Sequence, residues 1–515
     1  MLDRVVEDRV HNNRDGFIES IKEDDICRLA SSYHNSEPCT IFKPPVRGSY
    51  NICFFVRFCS LSSDNETISD GEKCEEGDSW VVRVPLSPCL SFEAHEKLES
   101  EVATMQLIAE KTNIPIPRIH VYSLAQEKGP YNIASFVILD YIEGRTLFDV
   151  RFKTLLDDQR RHLYEQLASI YIHLRRLEFS SIGILSRGSD GFDVRKKPMS
   201  ISINEQELEG LQSSRIQAEY GSCKGVLTSA SDYVSMLLRI AWNAFEKGRK
   251  SFSQFAEKKW LNPKLDSGPF VLVHGDLNPY NLIVNENMDI VALLDWEWSR
   301  VVPLQFFMPP TWLTSLETDD LAWPFRYSRY VNELDKFRTV VRDQELKTYG
   351  EGLLSNDWAG VHENGGILIA AALENWTDID YFAGRYLDKF LYQRKGLEDR
   401  IGEFMKQDPA RRTLVTRKIR DWAAYRAERK RLGVEDPADD EIEIVEMAPL
   451  TRCPWDHFTS ITPRLFTWWL GEKAGLSPRV DQILSKVAMG GGTIVLLAGI
   501  SYIIWNRIAK YPFSL

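Results

Sequence analysis

Asp276, Asn281 and Asp295 stand at the ends of short apolar runs in the stretch VLVHGDLNPYNLIVNENMDIVALLDWEW, Val271 to Trp298. Two carboxylates and a carboxamide form an all-oxygen, hard-donor set suited to Mg²⁺, with room for water and phosphate oxygens. An Asp beside such a cation can take the proton of an attacking hydroxyl, which is the chemistry of phosphoryl transfer. The runs Phe270–Val273 and Ile290–Leu294 read as strands, with Asn285-Glu286-Asn287 as a turn between them. Strands of this kind fix the backbone, so the loops at their ends can present the three oxygen donors to one small volume.

The residues His274-Gly275-Asp276-Leu277-Asn278-Pro279-Tyr280-Asn281 match the H-G-D-x-x-x-x-N catalytic loop of the aminoglycoside phosphotransferase and choline kinase superfamily, and LLDWEW is similar to its metal-binding strand end. The resemblance extends to fungal-type members, which carry a stretch like Trp80-Val81-Val82-Arg83-Val84-Pro85. It implies that Asp276 is the catalytic base, that Asn281 and Asp295 hold the metal, and that Glu297 is a further carboxylate beside it or for a second metal. His274 braces the loop on this reading.

The elements that would position this loop precede it. Gly48-Ser49-Tyr50-Asn51 opens a strand over Ile52–Phe58, a second strand follows at Trp80–Pro85, and a helix is expected over His95–Lys111. Leu98, Val102, Met105 and Ala109 make its apolar stripe, and Glu101 falls on the inward face. A carboxylate there needs a partner, and Arg83 is the candidate. The order strand–strand–helix is similar to the small lobe of protein-kinase-like enzymes. By that resemblance Gly48, Ser49 and Asn51 belong to the loop over the nucleotide phosphates, and Arg83 takes the cation position held by Glu101. The loop is not a full G-x-G-x-x-G, and the cation is Arg where Lys is usual; Arg offers a planar fork in place of a point charge. After strands over Arg118–Ser123 and Ala134–Leu139, Asp140-Tyr141-Ile142-Glu143-Gly144 resembles the inter-lobe hinge that binds the adenine edge.

Beyond the hinge a core helix is expected over Asp157–Phe179, from the stripe Leu163, Leu167, Ile170, Leu174 and Leu177. Residues 180–227 read as a Ser- and Gly-rich excursion over the surface, followed by a helix over Ser231–Lys250. Helices are also expected over Tyr327–Tyr349, Gly366–Tyr381 and Tyr386–Met405, where the resemblance places the wall that selects the acceptor. The stretch Arg411–Arg431 is basic and Glu435–Glu446 acidic, blocks that neutralise each other or stay solvated, with a membrane-surface role for the basic helix as the alternative. Val487–Trp505 has nineteen residues without a charge. As a helix it would span roughly 28 Å, with Tyr502 and Trp505 near one end, and it is expected to be a C-terminal transmembrane anchor. Its four glycines weigh against both hydrophobicity and helix propensity.

Composition narrows the classes. The net charge of −11 and pI near 5.5 exclude the basic footprint of a nucleic-acid binder. The eight cysteines form no C-x-x-C pair and read as reduced thiols. The N-terminus lacks an apolar signal core. The expected layout is an N-terminal extension over 1–40, a small lobe over 41–143, a large helical lobe over 144–405, a charged linker over 406–486 and the anchor over 487–505. The fold class expected is α+β, protein-kinase-like and two-lobed, with a small antiparallel sheet and a mainly helical large lobe. The activity implied is ATP- and Mg²⁺-dependent transfer of phosphate to a small-molecule hydroxyl, in a cytoplasmic body tethered at its C-terminus. A nucleotide-binding pseudokinase or scaffold, and a protein- or lipid-directed kinase, remain the alternatives. The absence of an H-R-D, D-F-G and A-P-E set speaks against a protein substrate.

Overall fold

The computed structural model describes residues 3–59, 77–127, 129, 131–150, 152–221, 226–247, 260–375 and 409–434. The chain divides into one unit of Met1–Ile240 with Lys258–Ala370 and a second of Ala241–Glu257 with Ala371–Leu515.

The first unit begins with two helices, α1 (Arg4–Glu19) and α2 (Glu23–Ser32). Asp3 caps α1 by accepting from the backbone N–H groups of Val5 and Val6. Strands β1 (Cys39–Arg47), β2 (Asn51–Phe58) and β3 (Ser79–Pro85) follow, then the long helix α3 (Ala94–Lys111), and β4 (Ile119–Leu124) and β5 (Ser135–Asp140). The five strands form one antiparallel sheet in the order β1-β2-β3-β5-β4. Val10, Ile26, Leu29 and Ala30 of α1 and α2 share a core with Val56, Phe58, Trp80, Val82 and Ile138 of the sheet. The N-terminal segment is therefore a layer of the small lobe and not an extension. It holds two helices separated at Ser20–Lys22, and β1 adds a strand that was not expected.

Short strands and helices build the rest of this unit. In order these are β6 (Arg145–Thr146), α4 (Asp157–Arg175), β7 (Glu178–Phe179), β8 (Ile184–Gly188), β9 (Gly191–Lys196), α5 (Ile201–Leu208), α6 (Ser213–Gln217) and α7 (Ala230–Lys247), the last ending beyond it. Strands β10 (Phe270–Val273), β11 (Leu282–Val284), β12 (Ile290–Leu293) and β13 (Arg300–Pro303) precede α8 (Pro324–Tyr349), α9 (Leu353–Asp357) and α10 (Gly366–Glu374). The stripe Leu163, Leu167, Ile170 and Leu174 puts α4 at the centre of the core, as its period requires. Tyr164 of α4 donates to Glu333 of α8 at 2.7 Å, and both Tyr164 and Tyr171 meet the Phe337 ring edge-on.

Residues 180–227 are not a surface excursion. Ile182, Ile184 and Leu185 are buried, the backbone of Ile182 pairs with Leu227, and Gly183 pairs with Val301. Cys59 is disulfide-bonded, against the expectation of reduced thiols, whereas Cys27, Cys39, Cys53 and Cys89 are free.

In the second unit the basic stretch forms α11 (Pro409–Leu432). Its Lys418 ammonium lies 5.7 Å from the centroid of the Phe245 ring. Among the described residues no helix is long and apolar enough to cross a membrane. The expected anchor at 487–505, the acidic block and the helix over Tyr386–Met405 lie outside the described residues.

Because α2 seals one face of the sheet, Leu29→Ala should cost about 2–4 kcal/mol of stability in chemical denaturation, the usual effect of truncating a buried leucine. A change within a few tenths of a kcal/mol would mean the N-terminal helices are dispensable.

Candidate active site

Two three-stranded sheets carry the site. β10 pairs with β13 and β7, and β11 pairs with β12 and β6. Residues 274–281 leave the first sheet and enter the second, and residues 294–299 return, so the two crossing segments run side by side. Leu294 N–H donates to Asn281 O at 2.8 Å, and Ser299 Oγ donates to His274 O at 3.2 Å. Gly275 makes the close approach workable: its φ is +84°, and a Cβ there would fall 2.2 Å from Trp298 O.

His274 ties the segments together. The backbone N–H of Asp276 donates to its Nδ1 at 3.3 Å, so Nε2 carries the proton and donates to Leu294 O at 2.8 Å. Burial pushes its pKa down to about 4 despite that acceptor, so the ring is neutral at physiological pH. Trp296 packs against the ring, with centroids 4.6 Å apart.

Asp276 is held by two amides. Asn278 Nδ2 donates to Oδ1 at 2.6 Å, and Asn281 Nδ2 donates to the backbone O at 2.8 Å and to Oδ2 at 3.1 Å. Burial, followed by the negative charge of Asp295, pushes the Asp276 pKa up to about 6. With its nitrogen committed to Asp276, Asn281 keeps its carbonyl Oδ1 for other use. Asp295 stands in the left-handed region at φ 69° and ψ 54°, a strained conformation for a residue with a Cβ.

The sheet of the small lobe reaches this place through Arg83. One guanidinium nitrogen donates to Glu101 Oε1 at 2.5 Å and the other to Asp295 Oδ1 at 2.6 Å, so β3, α3 and the end of β12 meet at one buried cation. Burial opposes the charge on Arg83, but Glu101 and Asp295 outweigh it and raise its pKa. Glu297 lies 3.5 Å from the same guanidinium and accepts from Asn51 Nδ2 at 2.7 Å. Its oxygen also contacts the ammonium of Lys97.

Asp295, Glu297, Arg83, Glu101 and Asn51 are therefore joined in one side-chain network, and Asp276 with Asn281 forms a second group tied to it through the backbone bond from Leu294 to Asn281. Gly48 and Ser49 form the exposed β1–β2 turn, closed by Gly48 N–H to Asn51 O at 2.8 Å, and reach the network only through Asn51. Asp140 and Tyr141 end β5 apart from it: Asp140 contacts His120 at 2.6 Å, and Tyr141 packs edge-on to Phe42 and Phe55. Lys97 and Asn278 were not singled out from the sequence. Asn278 lies within the matched loop and could have been found by asking what orients Asp276. Lys97 sits four residues before Glu101, and this spacing, which puts both on one helix face, was its only signal.

Among the described residues no group of three or more His, Cys, Asp or Glu could by itself hold a metal ion. The candidate set of Asn281 and Asp295 is small and all-oxygen, which fits Mg²⁺ completed by phosphate and water. Elsewhere, a cavity of about 400 Å³ between α1 and the N-terminus of α3 is lined by Phe17, Pro85, Phe92 and His95 and lies apart from these residues.

The family model for the phosphotransferase enzyme family, APH, matches residues 68–306. The match includes Arg83, Glu101 and both crossing segments and begins after the Gly48–Asn51 turn. Clavilactone A biosynthesis cluster protein Y of Ampulloclitocybe clavipes is 26% identical over 286 residues, 49% of this chain and 64% of that protein. Altered inheritance of mitochondria protein 9, mitochondrial, of Zygosaccharomyces rouxii is 29% identical over 119 residues, 22% of this chain and 19% of that protein. The chain thus spans less than two thirds of the length of these relatives. Among solved structures, the GDP and kanamycin complex of APH(2")-IIia is 14% identical, covering 76% of this chain and 94% of that one with a TM-score of 0.32.

The buried neutral His274 makes stability depend on pH. Its folded pKa lies below the ordinary 6.5, so the unfolded state binds the proton first and stability is lost as pH falls from 6.5 toward 4. This one group should remove about 2 kcal/mol between about pH 7 and pH 5. Urea denaturation at both values should show that component missing in His274→Gln, and an unchanged difference would mean the ring is not buried neutral.

Proposed function

We propose that the chain is an ATP-dependent phosphotransferase acting on a hydroxyl of a small molecule. The observation that carries this reading is a half-buried Asp276, held by Asn278 and Asn281 beside the charge of Asp295, within the segment that the phosphotransferase enzyme family model matches. Asp276 accepts the proton of the acceptor hydroxyl and aims its oxygen at the γ-phosphorus. Asn278 and Asn281 keep its carboxylate from rotating away, and neutral His274 holds the loop without exchanging protons. Arg83 places positive charge where the phosphates lie, and Glu101 holds Arg83 there. Asn281 Oδ1 and Asp295 would hold Mg²⁺, which neutralises phosphate charge when bound. Gly48, Ser49 and Asn51 would cover the phosphates, and Asp140 and Tyr141 would flank the base.

A second reading is favoured by one contact. Arg83 already occupies Asp295 Oδ1, so a chain that never releases that pair would be a nucleotide-binding pseudoenzyme.

Incubation with ATP, Mg²⁺ and a panel of amino alcohols, sugars, aminoglycosides and peptides, read by mass spectrometry, should yield a phosphorylated small molecule. Asp276→Ala should lower that turnover about 10²–10⁴-fold, the range for loss of a general base, with nucleotide affinity retained. Mg²⁺-dependent nucleotide binding with no acceptor phosphorylated would favour the pseudoenzyme. No nucleotide binding at all would end both readings.

A further inference from the structure

Glu297 reads from sequence as a carboxylate near the metal, yet its surroundings are cationic and closed. It is 4% exposed, and a single oxygen, Oε2, contacts Asn51 Nδ2 at 2.7 Å, the Lys97 ammonium, and Arg83 at 3.5 Å. Lys97 is 1% exposed, one turn before Glu101 on α3. Its ammonium also lies 5.2 Å from the Trp298 ring centroid and 5.8 Å from that of Tyr50, and those two rings pack edge-on at 4.8 Å.

A buried lysine and a buried glutamate are each costly without counter-charges, and this contact supplies one to both. The pair joins three segments that carry the candidate site: α3 with Glu101, the β1–β2 turn through Asn51 and Tyr50, and residues 296–298 immediately after Asp295. We propose that Lys97 is a positioning residue that claims Glu297 as its counter-charge, keeps that carboxylate out of the metal's coordination, and thereby fixes the phosphate-covering turn against the Asp295 end of β12. This rests on the phosphotransferase reading above. It assigns Lys97 a role and removes Glu297 from the expected metal ligands, leaving Asn281 and Asp295.

Titration calorimetry of the full chain with a non-hydrolysable ATP analogue, with and without Mg²⁺, tests it. Lys97→Met leaves Glu297 buried with only the more distant Arg83 as counter-charge, and should weaken Mg²⁺-dependent binding about tenfold or more. Because that variant could also fail to fold, the decisive protein is Lys97→Met/Glu297→Gln, which removes both charges. It should regain most of the lost affinity and keep its dependence on Mg²⁺, whereas Asp295→Asn should lose that dependence. If the double variant loses Mg²⁺ dependence as fully as Asp295→Asn, Glu297 is a metal ligand and the inference is overturned. If Lys97→Met binds as wild type does, Lys97 has no positioning role, and the inference is overturned in the same way. Wild-type protein that binds no nucleotide would overturn the phosphotransferase reading itself, and the inference with it.

Discussion

The guanidinium of Arg83, shared between Glu101 and Asp295, is the contact on which the candidate site depends. A charge in this position has lost its water, and only partners at hydrogen-bond distance make that tolerable. The three residues come from β3, α3 and the end of β12, so the ion pairs fix the sheet of the small lobe against the segment that follows the strands. Removing Arg83 would leave Glu101 buried without the cation it contacts and would release Asp295, which is why such a triad acts as a single unit. Around it stand Lys97 and Glu297, so that three carboxylates face two cations. The excess negative charge is an electrostatic reason for a divalent cation to be welcome there.

Precision in the two crossing segments comes from backbone bonds and not from charge. His274, neutral because it is buried, reads the Asp276 N–H on one side and the Leu294 carbonyl on the other. A charged imidazolium could not accept from Asp276, so the same burial that depresses its pKa also preserves the brace. Gly275 is needed for a different reason, since any Cβ would meet the Trp298 carbonyl. One residue supplies the bond and its neighbour supplies the space.

Most of the site was legible because it is encoded locally. The spacing of His274, Asp276 and Asn281, and the Asp295 strand end, are short-range patterns, and they sit together in the fold. The Arg83–Glu101 pair was legible because an inward-facing glutamate demands a cation. Lys97 was not, because a lysine beside an apolar helical stripe looks like an ordinary solvated residue until the far end of the chain brings Glu297 to it. The same limit hid the packing of residues 180–227, whose Gly183 finds Val301 far along the sequence. It also hid the N-terminal layer, where α1 contributes only scattered apolar residues to the core and its stripe is weak. Patterns within one element were readable; pairings between distant elements were not.

Arginine at position 83 changes the logic of the site relative to a lysine. A lysine presents one ammonium, whereas the guanidinium fork offers separate nitrogens to Glu101 and Asp295 at once. Glu101 and Asp295 are thereby held by one planar group. On the phosphotransferase reading the same fork would suit phosphate, whose oxygens it matches in pairs, once Asp295 released it. On the phosphotransferase reading proposed above it also sets a competition: a cation that took Asp295 Oδ1 would displace Arg83 from it, and the freed nitrogen would be available to phosphate oxygens. Metal and nucleotide would reinforce each other through this single exchange of partners, since each supplies what the other removes.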